Sequence, residues 1–231
     1  MKVVVAGGHG RIALLLSRLL RDGGHQPVGL IRNPDHAVDL AAAGAEAVVL
    51  DLEHASVDEV ANALAGADAA VFAAGGGPES GIARKLTVDR DGAIVLADAA
   101  VAAGVGRYLV VSSMGGDDSG SAASLDDDVA VGLRDDPDSL DVFAIYLRAK
   151  GAADAAVRER DLDWTIVRPG RLTDDQPTGM VTAATTTGRG AISRADVAAV
   201  LAALITDGTG KRRQFEVVSG SDPISPALQQ L

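Results

Sequence analysis

The stretch KVVVAGGHGRIALLL, residues 2–16, places a short apolar run, a glycine-rich turn and a helical pattern in direct succession. Lys2–Ala6 has the β-branched composition of a buried strand, and from Gly10 onward apolar residues recur at helical spacing. A strand, a glycine turn and a helix in this order are typical of the first βα unit of a parallel sheet. The stretch therefore predicts an α/β fold.

The rest of the 231-residue chain continues the alternation of apolar runs and helical patterns. Near-continuous apolar strands between helices are typical of a parallel sheet that helices cover on both faces. We therefore predict a doubly wound, mostly parallel, Rossmann-like sheet of about seven strands. No repeat or linker divides the chain, so residues 1–231 are predicted to form a single domain. The predicted strands are Lys2–Ala6, Pro27–Ile31, Ala47–Leu50, Ala69–Ala74, Arg107–Ser112, Trp164–Val167 and Gln214–Val218.

The formal net charge of -11 and the absence of cysteine limit the classes of function. Binding to nucleic acid or docking on anionic membranes needs clustered Lys and Arg, which an acidic chain disfavours. Without cysteine there is no disulfide, no thiol nucleophile and no thiolate metal ligand. The N-terminus shows no signal-peptide pattern and no apolar run reaches membrane-spanning length, so we expect a cytoplasmic protein.

Most of the negative charge belongs to residues 117–141, where nine Asp stand against one Arg and make -8 of the total -11. Loops of this length inside an α/β unit usually have a function or are disordered. The segment is interpreted either as a solvated acidic insertion or as a lid that favours cationic over anionic substrates.

The glycine turn has the spacing that a dinucleotide needs between a strand and a helix. Gly7 permits a tight turn, Gly10 allows the backbone to approach a pyrophosphate, and Ala13 lets the helix pack on the strand. An ordinary βα turn is the alternative interpretation. The residues predicted to hold the cofactor here are Gly7, Gly8, His9, Gly10, Arg11 and Ile12.

The end of the second predicted strand indicates which dinucleotide binds. An acidic residue there would accept the ribose 2′-hydroxyl of NAD, whereas Arg32 favours the 2′-phosphate of NADP, with Arg11 as a second charge. We therefore predict NADP (as NADPH), with NAD possible and a solvated surface role for Arg32 as the alternative.

Two further strand ends are predicted to line the same site. Asp51 and Leu52 follow the third strand and are placed to contact the adenine. Ala73, Ala74 and Gly75 follow the fourth strand, and their small side chains leave room for the cofactor backbone. For both ends the alternative is ordinary loop chemistry.

Tyr146 and Lys150 lie four residues apart on a predicted helix and therefore share one face. A lysine beside a phenol favours the phenolate, which suits general acid–base work. Ser112 and Ser113, at the end of the fifth strand, could supply a hydroxyl near the phenol. Side chains alternate along a strand, so only one of them is expected to face the cleft.

Taken together, these motifs resemble the short-chain dehydrogenase/reductase superfamily, and in particular its small atypical NAD(P)-binding branch, often labelled NAD-dependent epimerase/dehydratase. The resemblance covers essentially the whole chain. It rests on the segments AGGHGRIA, LIRNP, VDRDGAIVLADAAVAAGVGRYLVVSSMG, YLRAK and WTIVRPGRLTD.

The resemblance implies roles for individual residues. Tyr146 would be the general acid, Lys150 would hold the nicotinamide ribose, and Ser113, with Ser112 as the alternate, would assist the substrate oxygen. Pro169 and Gly170 match the family's Pro-Gly near the nicotinamide, and Ser112 and Tyr146 are also expected to contact the cofactor.

One position departs from the family pattern. Asp89 stands where the family usually has an asparagine, so an anion replaces a neutral amide of the proton relay and Asp89 joins the predicted catalytic set. Lys85, one turn earlier, is interpreted either as reaching the cleft or as part of a solvated helix face. The four scattered histidines show no ligand spacing, so no metal site is predicted.

The predicted function is an NADP(H)-dependent oxidoreductase acting on a small carbonyl, quinone or flavin-like acceptor. Only 61 residues follow Gly170, which implies a small, open substrate pocket. The alternatives are a non-enzymatic NADP-binding redox sensor and an epimerase or isomerase with tightly held cofactor. The predicted partner is a small-molecule substrate, with no nucleic acid and no membrane, and the chain is expected to be a monomer or a homodimer.

Overall fold

The computed structural model of the chain describes residues 1–77, 80–116, 125–130 and 141–231. Strands and helices alternate along the sequence as the apolar pattern predicts. The strands are β1 (Lys2–Ala6), β2 (Gln26–Ile31), β3 (Glu46–Val49), β4 (Ala69–Phe72), β5 (Arg107–Val111), β6 (Asp163–Pro169), β7 (Arg171–Thr173), β8 (Met180–Ala184), β9 (Ala191–Ser193), β10 (Arg213–Ser219) and β11 (Asp222–Pro223).

The helices connect these strands. They are α1 (Arg11–Asp22), α2 (Ala37–Ala42), α3 (Val57–Ala63), α4 (Ile82–Arg84), α5 (Ala93–Ala102), α6 (125–130), α7 (Val142–Arg158), α8 (Arg194–Thr206) and α9 (Ile224–Gln229). A 3-10 turn covers Pro34–His36 and a π-helix covers Lys85–Gly92. No helix in the described ranges combines the length and apolarity that crossing a bilayer requires.

The main sheet has the strand order β11-β8-β10-β6-β5-β4-β1-β2-β3 in the described residues. All seven predicted strands are present and pair in parallel, so the mostly parallel Rossmann-like fold is confirmed. The expected number of about seven strands is too low, because β8 and β11 add an antiparallel edge. Neither segment is a long apolar run, and β8 is a strand because it pairs with β10 on one side and with β11 on the other.

Helices cover both faces of the sheet. On one face α1 and α8 pack over Val3, Val5 and Phe215, and on the other α3, α5 and α7 pack over Val4 and Phe72. Each strand is thus buried on both sides, which explains the continuous apolar runs. β1 lies between β2 and β4, where successive connections diverge, and ligands of such sheets bind at the carboxyl ends of these strands.

The apolar pattern of Ala83–Ala103 predicts one long helix, but the structure divides this segment. α4 passes into the π-helix Lys85–Gly92, and the almost entirely apolar α5 follows. π-Helices are rare and are frequently found at functional sites. The π-helix carries three buried charged side chains, Lys85, Asp89 and Arg90. A continuous amphipathic pattern could not reveal this change of helix type.

Of the acidic segment 117–141, the structure describes α6 and Asp141. The Asp141 carboxylate caps α7 by accepting hydrogen bonds from the amides of Phe143 and Ala144. Residues 117–124 and 131–140 lie outside the described residues, so the choice between an insertion and a lid stays a prediction.

Candidate functional site

A cleft of about 380 Å³ opens where the carboxyl ends of β1, β2, β3 and β4 meet. It brings together most of the residues predicted to hold a cofactor. The predicted residues that line it are Gly7, Gly8, His9, Gly10, Arg32, Asp51, Leu52, Ala73, Ala74 and Gly75.

The glycine turn holds three strand ends in close contact. Gly7 has a φ of +75°, and a Cβ on it would lie 2.6 Å from the Cα of Ala74. A Cβ on Gly8 would lie 2.7 Å from the Cα of Gly29, and the Gly8 amide donates to the Leu30 carbonyl at 2.9 Å. A side chain at either glycine would push β2 or the end of β4 away from the turn.

The N-terminus of α1 fits the pyrophosphate of a dinucleotide. Gly10 is the N-cap residue and has no side chain to satisfy the first helical amides, and the first turn contains no acidic residue. The first amides of a helix have no partner within the helix and carry partial positive charge. These observations make the turn suitable for binding an anion such as a phosphate group.

Two of the six residues predicted to hold the cofactor at the glycine turn lie elsewhere. Arg11 donates a hydrogen bond to Asp174, the residue after β7, and its side chain is largely exposed. Ile12 faces the core beneath the sheet. Neither lines the cleft, because a helix turns successive side chains by about 100° and only its first amides point toward the turn.

The end of the cleft beside β2 and β3 contains a charge cluster that the sequence pattern did not reveal. One Glu53 oxygen accepts a hydrogen bond from Arg32 at 3.0 Å and forms an ion pair with Arg84 at 3.1 Å, and the other accepts a hydrogen bond from Thr87 at 2.7 Å. Glu53 directly follows the predicted Asp51-Leu52 pair, and this adjacency is the sequence signal that could have identified it as a residue of the cleft. Arg32 is therefore not simply solvated, since a carboxylate already occupies part of its hydrogen-bonding capacity.

Histidines and aspartates form the outer wall of this end. The His9 ring stacks on His36 with centroids 3.6 Å apart, and its Nε2 lies 2.7 Å from an Asp39 oxygen. Asp51 pairs with His54 at 3.0 Å. Burial works against ionisation of Asp51, but the hydrogen bonds from His54 and from the Glu53 amide outweigh it, so the pKa of Asp51 is lowered. In the described ranges no three His, Asp or Glu side chains form a group that could hold a metal.

Three of the four predicted catalytic residues, Asp89, Tyr146 and Lys150, lie close together between the π-helix and α7. Lys150 is buried, and its Nζ lies 3.3 Å from an Asp89 oxygen and 6.0 Å from the centroid of the Tyr146 ring. The other Asp89 oxygen accepts the Gly76 amide at 3.0 Å. Asp89 therefore joins the loop after β4, which lines the cleft, to the Tyr146–Lys150 pair.

Burial and charge act in opposite directions on Lys150. Burial works to lower its pKa, but the adjacent Asp89 carboxylate, together with Tyr146 and Asp154, outweighs burial and raises the pKa of Lys150. Lys150 is thus held as an ammonium, the form that can donate to a hydroxyl group.

Lys85 is buried at 6% exposure, so the interpretation of a solvated helix face is wrong. Its Nζ donates to the Gly77 carbonyl at 2.5 Å and lies 5.3 Å from the centroid of the Tyr146 ring. The π-helix turns Lys85 inward together with Asp89, four residues later. The sequence pattern left both orientations open.

The two serines after β5 have different surroundings. The Ser112 hydroxyl is buried and donates to Asp154 at 2.7 Å, and Arg168 contacts the same carboxylate oxygen at 2.7 Å. Burial raises the pKa of Asp154 against the opposing effects of Arg168 and Ser112. Ser112 therefore contributes to a buried polar network, which argues against its predicted contact with a cofactor. Ser113 is half-buried and donates to the Met114 carbonyl at 3.2 Å.

Pro169 and Gly170 lie at the carboxyl end of β6, beside the strand that carries the serines. The Pro169 carbonyl accepts the Met114 amide at 3.4 Å. A Cβ on Gly170 would lie 2.5 Å from the carbonyl oxygen of Gly190, so the backbone is tightly packed here. These two residues do not line the cleft of the glycine turn.

Residues 7–208 match the family described as NAD(P)H-binding, and this range contains the whole cleft. The chain belongs to this family. Over its full length it is 35% identical to a Bacillus subtilis (strain 168) protein named an uncharacterized sugar epimerase, YhfK, all of which is covered.

Solved structures of similar proteins have the same fold. A Bacillus halodurans protein, provisionally named an NAD-dependent epimerase/dehydratase, is 34% identical with a TM-score of 0.83, and both chains are fully covered. The oxidoreductase ylbE from Lactococcus lactis is 24% identical, with a TM-score of 0.78 over 100% of this chain and 96% of that one. The family is consistent with an NAD(P)-dependent oxidoreductase or epimerase.

Proposed function

We propose that the protein is an NADP(H)-dependent oxidoreductase of the short-chain dehydrogenase/reductase type, acting on a small carbonyl, quinone or flavin-like acceptor. The observation that carries the proposal is the contact between the cofactor cleft and the tyrosine–lysine pair. Gly75 lines the cleft, Asp89 binds the next amide and Lys150, and Lys150 lies over Tyr146.

The cleft and the N-terminus of α1 are proposed to hold different parts of the dinucleotide. The uncapped amides of α1 suit the pyrophosphate, and Gly10 keeps the approach to them free of a side chain. Arg32, with Arg84 beside it, is proposed to hold the ribose 2′-phosphate, because a guanidinium recognises phosphate oxygens in pairs. Lys150 is proposed to donate to the nicotinamide ribose. When bound, reduced nicotinamide supplies a hydride.

Tyr146 is proposed to donate its phenolic proton to the acceptor oxygen as that atom gains negative charge. Ser113 is proposed to orient the same oxygen by a hydrogen bond. Asp89 positions Lys150 and the loop after β4, a structural task that an anion performs as well as the asparagine usual in the family.

The test is the oxidation of NADPH by the purified chain with a panel of quinones, flavins and dicarbonyls. NADPH fluorescence first measures binding. Arg32→Glu should weaken NADPH binding far more than NADH binding, and equal losses would remove the 2′-phosphate role. Tyr146→Phe should abolish turnover with little effect on cofactor affinity, whereas full activity would assign the proton to another donor. Binding without any turnover would favour the sensor.

An epimerase with tightly held cofactor is the second candidate, and the name of the 35% identical Bacillus subtilis protein favours it. Such an enzyme returns the hydride to its substrate, so it shows no net NADPH consumption. Cofactor that stays with the protein through gel filtration, together with no NADPH loss on the acceptor panel, would support this candidate over the reductase.

A further inference from the structure

Arg171 and Arg189 are two exposed arginines in the segments that follow β6. Arg171 begins β7, and Arg189 lies two residues before β9. Neither guanidinium has a hydrogen-bond or ion-pair partner among the residues that the structure describes. Most other arginines of these ranges contact a carboxylate, as Arg194 contacts Asp174 at 2.8 Å. The guanidinium groups of Arg171 and Arg189 are therefore available to a ligand.

The backbone holds these two arginines side by side. The Arg171 amide donates to the Gly190 carbonyl at 2.9 Å, which brings Arg189, the preceding residue, next to Arg171. A Cβ on Gly190 would lie 2.7 Å from the Val218 side chain, and a Cβ on Gly170 would lie 2.5 Å from the Gly190 oxygen. Both segments are thus closely packed, and little backbone ordering is needed when a ligand binds.

The two-stranded sheet of β7 and β9 lies between two parts of the candidate site. β7 starts two residues after Pro169, whose carbonyl accepts the amide of Met114, the residue after Ser113. β7 ends before Asp174, whose carboxylate binds Arg11, the first residue of α1. The sheet therefore extends from the serine proposed to orient the acceptor to the turn proposed to hold the pyrophosphate. An acceptor bound between these points lies beside the two arginines.

The positive charge of this region contrasts with the net charge of -11 of the whole chain. Arg11 and Arg194 share the carboxylate of Asp174, and Arg171 and Arg189 contribute two more guanidinium groups. An acidic protein repels an anionic molecule unless such a local region attracts it. Arginines gathered at this position therefore favour an acceptor that carries negative charge.

Three further carboxylates belong to the segments around this sheet. Asp196 is fully buried and accepts the Thr178 amide at 3.1 Å, and Glu216 accepts the Thr187 amide at 2.7 Å. Asp175 is exposed and has no ion-pair partner in the described ranges. The first two carboxylates fix the segments before and after β8, and none of the three pairs with the two arginines.

We infer that Arg171 and Arg189 bind an anionic group of the acceptor, a carboxylate or a phosphate, at a distance from the atom that receives the hydride. A guanidinium recognises either anion through two parallel hydrogen bonds. The substrate is then an anionic member of the proposed acceptor classes. The interpretation of residues 117–141 as a lid that favours cationic substrates makes the opposite prediction. This inference deepens the proposed function and rests on it for the position of the acceptor.

The experiment compares FMN and riboflavin, two flavins that differ only by a phosphate group. Quenching of flavin fluorescence measures their binding to the chain in the presence of saturating NADP⁺, which keeps the phosphate out of the cofactor cleft. FMN should bind about tenfold more tightly than riboflavin at low ionic strength, because its phosphate contacts two guanidinium groups. This preference should decrease between about 20 and 200 mM salt, since screening weakens exposed charge pairs.

Two double variants that lose the same charge test the assignment. Arg171→Gln with Arg189→Gln should lower the affinity for FMN to that for riboflavin and leave riboflavin binding unchanged. Arg18→Gln with Arg213→Gln is the control, because these two arginines are also exposed and unpaired in the described ranges but lie on α1 and at the amino end of β10. The control should keep the preference for FMN. Equal losses in both double variants would show that only net charge matters and would overturn the inference.

The affinity for NADPH identifies which molecule supplies the anion. Arg171→Gln with Arg189→Gln should change it by less than about twofold, because charges that do not contact the cofactor are screened. A loss as large as that for FMN would assign the arginines to the cofactor and overturn the inference.

A second matched pair covers an acceptor site that is too narrow for a flavin. Benzaldehyde and 4-carboxybenzaldehyde differ by one carboxylate, and ligand-observed NMR measures their binding to the NADP⁺ complex. The carboxylate should be preferred, and the preference should disappear in Arg171→Gln with Arg189→Gln. If neither anionic compound is preferred over its neutral partner, or neither binds, the inference is overturned. Binding that depends on these arginines without NADPH oxidation would refute the proposed function alone.

Discussion

Because the glycine turn is closely packed, substitutions in it can separate the cost of backbone strain from the cost of steric contact. Gly7 and Gly24 have nearly equal φ angles, +75° and +77°. A Cβ on Gly7 would meet backbone atoms of Ala74 at 2.6 and 2.8 Å, whereas a Cβ on Gly24 would meet nothing within 4 Å. Gly24→Ala therefore measures the strain alone, and Gly7→Ala measures strain plus displacement of the end of β4.

The expected magnitudes follow from these two causes. A left-handed backbone costs alanine about 1–2 kcal/mol, and forcing atoms into a packed region costs about 1–3 kcal/mol. Gly7→Ala should lower the free energy of unfolding by about 2–5 kcal/mol, and Gly24→Ala by about 1–2 kcal/mol or less. For a chain of this size each kcal/mol lowers the Tm by about 2–4 °C.

The assay is urea unfolding of both variants, followed by NADPH titration. Gly10→Ala completes the set, because a Cβ there would lie 3.1 Å from the Gly7 carbonyl, a tight contact that small shifts can relieve. It should unfold close to wild type but bind NADPH at least about tenfold more weakly, since its methyl group obstructs the phosphate approach. Equal losses of stability in Gly7→Ala and Gly24→Ala would show that the turn does not press on β4.

Two further predictions concern charges that the fold brings together. Glu53→Gln keeps an acceptor for Thr87 but removes the charge shared by Arg32 and Arg84, so NADPH should bind about 3–10-fold more tightly while NADH changes little. Fluorescence titration of both cofactors measures this, and a selective loss of NADH binding would instead mean that Glu53 contacts the ribose hydroxyl. Burial raises the pKa of Asp154, so the folded chain holds that proton more tightly than the unfolded chain, and stability should fall as pH rises from 3.8 through the raised value. Asp154→Asn should remove this part of the pH dependence of urea unfolding, whereas Asp161→Asn, at an exposed carboxylate, should retain it.

The sequence by itself determined the layout of the fold. Continuous apolar runs are typical of strands that are buried on both faces of a parallel sheet, and the glycine turn after β1 marks the strand end that we propose as the dinucleotide site. Ten of the predicted cofactor residues line one cleft for this reason. Tyr146 and Lys150 could also be paired from the sequence, because residues four apart share a helix face.

Tertiary structure alone decided which charges meet. Glu53 and Arg84 are 31 positions apart in the sequence, and no local pattern indicates that Glu53 contacts Arg84 together with Arg32 and Thr87. The inward direction of Lys85 depends on the π-helix, which the spacing of apolar residues cannot distinguish from an α-helix. The sequence does not distinguish Ser112 from Ser113. The fold does, because Asp154 of α7 accepts a hydrogen bond from the Ser112 hydroxyl. Periodicity describes how one segment faces the core, whereas electrostatic pairing depends on which segments the sheet order brings side by side.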